Sequence, residues 1–209
     1  MKKGMCITYE VENSLYVNVT NRCSNRCDFC IRNNGDGAYG SDPLWLIREP
    51  SCEEIIDSIL SRKLDLYREI VFCGYGEPSY RLYDIREVVT KLRSIHKNLK
   101  IRINTNGHSD LILGENTAPL YQGIFDTVSI SLNSSNSESY IRTCHPVYKE
   151  TAFPAIIEFA KNVKNCVQNV AFTVVRQFIS DRELYECEKI SKEIGVPLRV
   201  REYIKAEDG

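Results

Sequence analysis

The sequence predicts an α/β fold, a (β/α)6 partial TIM-like barrel of parallel strands. The first observation is that short apolar runs alternate with stretches of helical periodicity along the chain. The second is the length of 209 residues, which holds between six and seven strand–helix units of ~31 residues, fewer than a closed eight-unit barrel needs. Because nothing interrupts the alternation, we expect a single domain over residues 1–209.

Six apolar runs have the length and composition of buried strands. In chain order they cover residues 15–20, 69–73, 99–104, 127–132, 170–175 and 198–203. Parallel strands joined by helical crossovers all run the same way. We therefore expect their carboxyl ends to meet at one edge of the sheet, where sites lie in such folds.

The helices between the strands have recognisable ends. Ser51 and Glu54 have the spacing of a capping box, so a helix is expected to begin after Ser51. Ser180 is the expected N-cap of the last helix, which Gly195 ends. The other predicted helices cover residues 82–96, 117–122, 137–142 and 152–163, and residues 33–50 read as a long loop.

Charge and hydropathy exclude two broad classes of function. The 27 basic and 28 acidic residues give a net charge of −1, so we expect no broad nucleic-acid-binding surface. Apolar runs long enough to cross a membrane are absent, and residues 1–10 lack the apolar core of a signal peptide. With an odd number of cysteines, nine, we expect reduced thiols and a cytoplasmic location.

Three of the nine cysteines form a compact group, Cys23, Cys27 and Cys30. Clustered thiols bind zinc or iron–sulfur clusters. Structural zinc usually takes four ligands in two separated pairs, so a zinc-stabilised binding module is the non-enzyme alternative. A [4Fe–4S] cluster held by three cysteines keeps one iron open for a second ligand. The remaining thiols are expected to be structural: Cys6, Cys52, Cys73, Cys144, Cys166 and Cys187.

Polar residues collect where the predicted strands end, and they also alternate along the strands. Residues 74–78 and 105–107 follow the second and third strands and contain glycine. Alternation places polar side chains on one face of the sheet, opposite the apolar ones. Because helices would cover the other face, we expect this polar face to line a ligand cavity. Its residues are Asn18, Thr20, Arg102, Asn104, Ser129 and Ser131.

The spacing Cys23-x3-Cys27-x-Phe29-Cys30 resembles the signature of the radical S-adenosylmethionine (radical SAM) superfamily. Gly76-Glu77-Pro78 after the second strand and the serines of the fourth strand add to this resemblance, which covers essentially the whole chain. Residues 17–33 and the loop after them look like the short radical SAM proteins named for association with TatD-type nucleases.

The resemblance implies an enzyme that reductively cleaves SAM at a [4Fe–4S] cluster. The deoxyadenosyl radical so formed would abstract hydrogen from an unidentified substrate. Cys23, Cys27 and Cys30 would ligate the cluster. The implied SAM-binding residues are Phe29, Gly74, Gly76, Glu77, Asn104, Asn106, Ser131, Asn133 and Val174.

Arginines near the strand ends are the only sequence indication of the substrate, which the family implies is a small molecule or a protein. Arg102, Arg142 and Arg201 are expected to pair with a carboxylate or phosphate, and Arg199 and His145 lie nearby in sequence. Flavodoxin or ferredoxin is the implied electron donor. Two alternative activities stay open, a glycyl-radical-enzyme activating enzyme and a carboxydeazaguanine-synthase-like enzyme.

Overall fold

Seven strands form one sheet whose order follows the chain in the computed structural model, which describes residues 1–204. The first two strands are antiparallel, and every later neighbouring pair is parallel. The six predicted strands are confirmed as β2 to β7, and β1 and β7 are the two edges of the open barrel. The strands are β1 (Thr8–Val11), β2 (Ser14–Val17), β3 (Glu69–Phe72), β4 (Ile101–Thr105), β5 (Thr127–Ser131), β6 (Asn169–Val175) and β7 (Leu198–Arg201).

Strand β1 is an addition that the sequence analysis does not predict. Glu12 and Asn13 join it to β2, and Glu12 adopts a left-handed φ of 50°. The pair lacks the Asn-Gly or Asp-Gly signal that marks most two-residue hairpin turns. The hairpin places β1 beside β2 at the open edge of the sheet, so the strand count rises to seven without a further helical crossover.

Seven helices connect the strands. The predicted capping box of Ser51 and Glu54 is present at the start of α1. Ser180 is the N-cap of α7 as predicted, and it also forms a capping box with Glu183. The short helix α3 was not predicted, because five residues contain too few turns to show a period. The helices are α1 (Cys52–Leu60), α2 (Leu82–Ile95), α3 (Ser109–Leu113), α4 (Ala118–Tyr121), α5 (Ser137–Cys144), α6 (Ala152–Val163) and α7 (Asp181–Ile194).

Alternation along the strands separates the core from the inner face of the barrel. Val17, Phe72 and Ile130 belong to the buried core together with helix residues such as Val88 and Ile156. Their neighbours along each strand point to the opposite face. The helices therefore cover the outer face of the sheet, and the polar inner face remains open to a ligand.

Residues 34–50 form the predicted long loop, which packs around a small apolar cluster of its own. Ala38 and Leu44 from the loop are buried against Tyr9 and Tyr75. Tyr75 also donates from its hydroxyl to the carbonyls of Gly35 and Gly37, at 2.9 and 2.8 Å. The loop is thus fixed against β1 and the turn after β3. Within residues 1–204, the helices are too short or too polar to cross a membrane.

Replacing the N-cap serine of α1 tests the predicted capping box. Ser51→Ala removes the side-chain acceptor for the Glu54 N–H and is expected to lower the free energy of unfolding by about 1 kcal/mol. Ser61→Ala at the other end of the same helix is the matched control, with a change under about 0.5 kcal/mol. Urea denaturation followed by circular dichroism measures both, and equal losses would contradict the assignment.

Candidate cluster and cofactor site

The three clustered cysteines lie on the rim of a cavity of about 230 Å³ at the carboxyl ends of the strands. We call it the thiol cavity. It gathers residues from β1, β2 and β4 to β7, and from the segments that follow β2, β3, β4, β5 and β7. The residues predicted from sequence that line it are Cys23, Cys27, Phe29, Cys30, Gly74, Gly76, Glu77, Asn104, Asn106, Ser131, Asn133 and Arg201.

The loop that carries the thiols has no helix or strand between residues 18 and 30, and the end of α5 holds it in place. The last carbonyls of a helix have no partner inside the helix. Here the N–H groups of Arg26 and Asp28 donate to the carbonyls of Cys144 and Thr143, both at 3.0 Å. His145 lies 2.8 Å from the Asp28 carboxylate through Nε2. Backbone N–H groups of the loop therefore pair with the backbone carbonyls at the end of the helix.

A buried polar chain ties the same loop to the end of β4. Asn106 Nδ2 donates to Ser24 Oγ at 2.8 Å, and Ser24 Oγ lies 3.0 Å from His108 Nδ1. The Asn106 Oδ1 accepts from the His108 N–H at 3.0 Å. The oxygen and the nitrogen of this side-chain amide therefore both have hydrogen-bond partners within the protein. Burial lowers the pKa of His108 to about 4, and the imidazole is neutral at physiological pH.

Glu77 joins the turn after β3 to the end of β4. Its buried carboxylate accepts from Thr105 Oγ1 at 2.7 Å, from the Asn106 N–H at 2.6 Å and from the Ser79 N–H at 3.1 Å. Burial raises the pKa of Glu77, and these hydrogen bonds oppose the rise. Glu77 thus holds two cavity walls together as well as lining the cavity.

The glycines of this turn are required by close backbone approach. A Cβ on Gly74 would overlap the side chain of Asn18, and a Cβ on Gly76 would overlap the carbonyl of Thr20. The Glu77 N–H donates to the Arg22 carbonyl at 2.7 Å beside Gly76. Only residues without a side chain let the turn after β3 approach the thiol loop this closely.

The surroundings of Cys23 and Cys27 favour the protonated thiol over the thiolate. Burial raises the pKa of Cys23 to about 12, and a hydrogen bond with Cys144 together with burial raises that of Cys27. The Arg32 Nε donates to the Cys30 Sγ at 3.2 Å. Within residues 1–204, three His, Cys, Asp or Glu side chains do not converge on a point that would hold a single metal ion. A four-iron cluster takes each thiolate on a separate iron and needs no such convergence.

Three asparagine oxygens on the cavity wall are buried and have no hydrogen-bond partner among residues 1–204. They are Oδ1 of Asn25, Asn104 and Asn133. Leaving a buried acceptor unpaired costs about 1–3 kcal/mol, so such a group in a native fold indicates a missing partner. A bound molecule that carries amine and hydroxyl donors would satisfy them. Asn25 was not singled out from the sequence, because it lies between the cysteines in a segment without periodicity.

The predicted SAM-binding residue Val174 and the predicted substrate residue Arg142 line neither the thiol cavity nor its neighbour on the inner face. Val174 is fully buried in the core and faces the helices, whereas Val175 lines the cavity. Thr173 pairs with Ser131 on β5 and lies on the inner face. Because side chains alternate along a strand, Val175 shares that face and Val174 lies on the opposite one. Arg142 is 68% exposed on α5, with the Glu183 carboxylate 4.0 Å away, and lines neither this cavity nor its neighbour.

Polar strand residues divide between the two cavities and the loop. Asn18 donates to the Leu44 carbonyl at 2.7 Å, and Thr20 donates to Glu49, so both hold residues 34–50 and do not line the cavities. Arg102, Ser129, Arg199 and Arg201 line a second cavity of about 300 Å³ on the inner face, the arginine cavity. Cys73, expected to be structural, also lines the thiol cavity.

Aromatic residues at the mouth of the thiol cavity were missed because they come from distant parts of the chain. The Phe29 ring packs on Phe178 with centroids 5.2 Å apart, and Phe178 packs on Tyr203 at 5.3 Å. The Tyr203 hydroxyl donates to Asn34 Oδ1 at 2.9 Å. Phe29 is therefore held by Phe178, which follows β6, and Phe178 in turn packs on Tyr203, which follows β7. Neither contact has a short-range sequence signal.

A family model described as "Radical SAM superfamily" matches residues 17–189 of the chain. A "Probable GTP 3',8-cyclase" of Methanothermobacter marburgensis is 28% identical over 194 residues, which are 93% of this chain and 58% of that protein. The chain thus spans little more than half the length of this curated relative.

Solved structures share the fold at low sequence identity. SuiB of Streptococcus suis bound to the precursor peptide SuiA has a TM-score of 0.65 and 18% identity, covering 91% of this chain and 39% of that one. The same protein bound to S-adenosylmethionine has a TM-score of 0.61 and 18% identity, covering 91% of this chain and 38% of that one.

Adding a methyl group at Gly76 tests the close approach of the turn to the thiol loop. Gly76→Ala places a Cβ against the Thr20 carbonyl and is expected to lower the free energy of unfolding by roughly 1–3 kcal/mol. Gly35→Ala is the control, since its nearest atom would be the Gly37 carbonyl oxygen at 3.7 Å, an ordinary contact. Chemical denaturation compares the two, and a neutral Gly76→Ala would refute the steric requirement.

The neutral state of His108 predicts how stability varies with pH. The folded protein holds the His108 pKa at about 4, whereas the unfolded chain takes up a proton near 6.5. Stability is therefore expected to fall as the pH decreases through this window, by up to roughly 3 kcal/mol from this group. Denaturation of His108→Asn across the window should show a flatter profile.

The exposed residue His96 provides the control for this pH profile. His96→Asn is expected to keep the wild-type slope, because its ring lies in solvent. Identical slopes for the wild type and His108→Asn would show that His108 does not contribute.

Proposed function

The chain belongs to the radical SAM superfamily, and we propose on that premise that it is an enzyme that binds a [4Fe–4S] cluster and SAM in the thiol cavity. The observation that supports this most is the meeting, around one cavity, of three thiols from one loop and three unpaired asparagine oxygens. The asparagine oxygens have no hydrogen-bond partner among residues 1–204, and each of the two sets matches one of the two bound groups.

Cys23, Cys27 and Cys30 are the proposed cluster ligands. All three are partly buried, and the Arg32 Nε donates to the Cys30 Sγ at 3.2 Å. The hydrogen bonds between the loop and the end of α5 hold the thiols in place before any metal arrives. Binding releases the thiol protons, so cluster loading is favoured at higher pH.

The remaining wall suits the polar end of SAM. Asn25, Asn104 and Asn133 offer acceptor oxygens for the amine and ribose hydroxyls, and Gly74 and Gly76 keep the backbone close to the cavity. Phe29 offers an aromatic face beside the cluster loop. When bound, the cluster supplies one electron to SAM, which yields methionine and a deoxyadenosyl radical that takes a hydrogen atom from the substrate.

The protein's own contribution is to place and enclose these groups. The loop of residues 34–50 and the segment around Tyr203 border the cavity and limit access of water to it. Arg26 is exposed on the thiol loop, whereas Arg22 pairs with Glu49 at 2.8 Å. Membership of the superfamily supports a flavodoxin or ferredoxin as the proposed electron donor.

The substrate is a small molecule or a peptide. A relative named as a probable GTP 3',8-cyclase supports the small molecule, and a structural neighbour solved with a precursor peptide supports the peptide. The activating-enzyme and carboxydeazaguanine-synthase-like activities stay predictions, since both would use the same thiol cavity and differ in the side chains beyond it.

Serine substitutions of the three thiols test the proposed function. After anaerobic reconstitution, the wild type is expected to bind iron and sulfide as a [4Fe–4S] cluster and to form 5′-deoxyadenosine from SAM with dithionite. Cys23→Ser, Cys27→Ser and Cys30→Ser should each reduce both the cluster content and the yield of 5′-deoxyadenosine by more than about tenfold, because one iron loses its thiolate ligand. Iron analysis and absorption spectra measure the cluster, and chromatography measures the deoxyadenosine.

Cys166→Ser is the matched control, since this thiol lies after α6 and does not line the thiol cavity. It should keep the cluster and the cleavage of SAM. A colourless wild type that binds one zinc ion and forms no deoxyadenosine would contradict the proposal.

A further inference from the structure

We propose that the arginine cavity binds an oxyanion, a carboxylate or phosphate, at the far end of the substrate. This inference rests on the proposed function, because it takes the thiol cavity as the place of hydrogen abstraction. It assigns the second cavity to the part of the substrate that does not react.

The two cavities adjoin each other inside the barrel. Tyr16, Tyr39, Asn104, Ser131 and Arg201 line both of them. A single molecule can therefore extend from the thiol rim to the arginine cavity without leaving the inner face. Binding energy from such a remote group orients the reacting end.

Cationic side chains from separate strands meet in the arginine cavity. Arg102 lies on β4, and Arg199 and Arg201 occupy alternate positions of β7, which places both on one face. β5 and β6 lie between these strands in the sheet, so only the curvature of the open barrel brings the guanidinium groups to one space. Arg68 adds a fourth cation at the border.

The carboxylates nearby do not use up these donors. Arg102 Nη2 lies 3.2 Å from Glu69 Oε1, and Arg68 Nη2 lies 3.1 Å from that same oxygen. Arg102 Nε is buried without a hydrogen-bond partner among residues 1–204. Glu12 and Glu202 also line the cavity, which leaves four arginines against two lining glutamates and Glu69 behind them. The balance favours an anionic ligand.

Neutral donors and acceptors complete the lining. The hydroxyls of Ser129 and Ser131 lie on the inner face of β5, and Asn104 presents its unpaired Oδ1 between the two cavities. Guanidinium groups bind carboxylate and phosphate through paired N–H donors, and hydroxyls add single hydrogen bonds. The lining thus matches a polar molecule that ends in an oxyanion.

Titration of the full chain with two oxyanion probes tests this assignment. Pyrophosphate represents the phosphate class and succinate the carboxylate class, and isothermal calorimetry in chloride buffer measures each. The wild type is expected to bind at least one of them saturably, and the one that binds identifies the class. Arg102→Gln and Arg201→Gln should each weaken binding by about tenfold or more, because each removes a charge-assisted donor pair.

Arg142→Gln is the matched control, because it removes the same charge from an exposed helix outside both cavities. Arg201 lies on the exposed edge strand β7, where a substitution is tolerated by the fold. Arg201→Gln therefore keeps the test valid if Arg102→Gln does not fold. Wild-type protein that binds neither probe, or equal weakening by Arg142→Gln, would overturn the proposal.

The titration needs neither the cluster nor SAM, so it separates the two proposals. A protein that cleaves SAM but binds no oxyanion contradicts only the arginine cavity. One that binds an oxyanion but never cleaves SAM contradicts only the proposed radical chemistry.

Discussion

Hydrogen bonds between the thiol loop and the end of α5 are the constraint on which the rest of the site depends. Residues 18–30 form no regular secondary structure, so their backbone has no ladder of its own to fix it. The carbonyls of Thr143 and Cys144, which have no partner inside α5, accept hydrogen bonds from the loop backbone. Ser24 adds hydrogen bonds with Asn106 and His108. Without these contacts, three thiols on a free loop would share no fixed geometry.

The close packing of neighbouring loops follows from that constraint. Once the thiol loop is fixed, the turn after β3 must pass against its backbone, and Gly74 and Gly76 are the residues that allow it. Glu77 then reaches the end of β4 and carries three hydrogen bonds from two loops. The rim of the thiol cavity is therefore one connected polar structure built from three strand ends.

Buried polar atoms without a hydrogen-bond partner among residues 1–204 occur both in the interior of the barrel and at its rim, where Ser79 Oγ and His108 Nε2 are examples. Three asparagine oxygens and the Arg102 Nε are buried without partners among residues 1–204, and such groups destabilise the folded protein unless a ligand pairs with them. They lie along a continuous path from the thiols to β7. Bound molecules that pair with these groups would therefore stabilise the folded protein.

Features that depend on residues close in the chain were predictable from the sequence: the alternation of strands and helices, the capping box of α1, the N-cap of α7 and the grouping of Cys23, Cys27 and Cys30. The period of two along a strand also indicated that Asn104 and Ser131 face inward. Which valine of β6 lines the cavity required the folded structure, since residues 170–175 are apolar at nearly every position. The folded structure was also needed to place Arg142 outside both cavities and Arg102 and Arg201 around one cavity, because sheet curvature brings together residues distant in the chain and no local pattern encodes it.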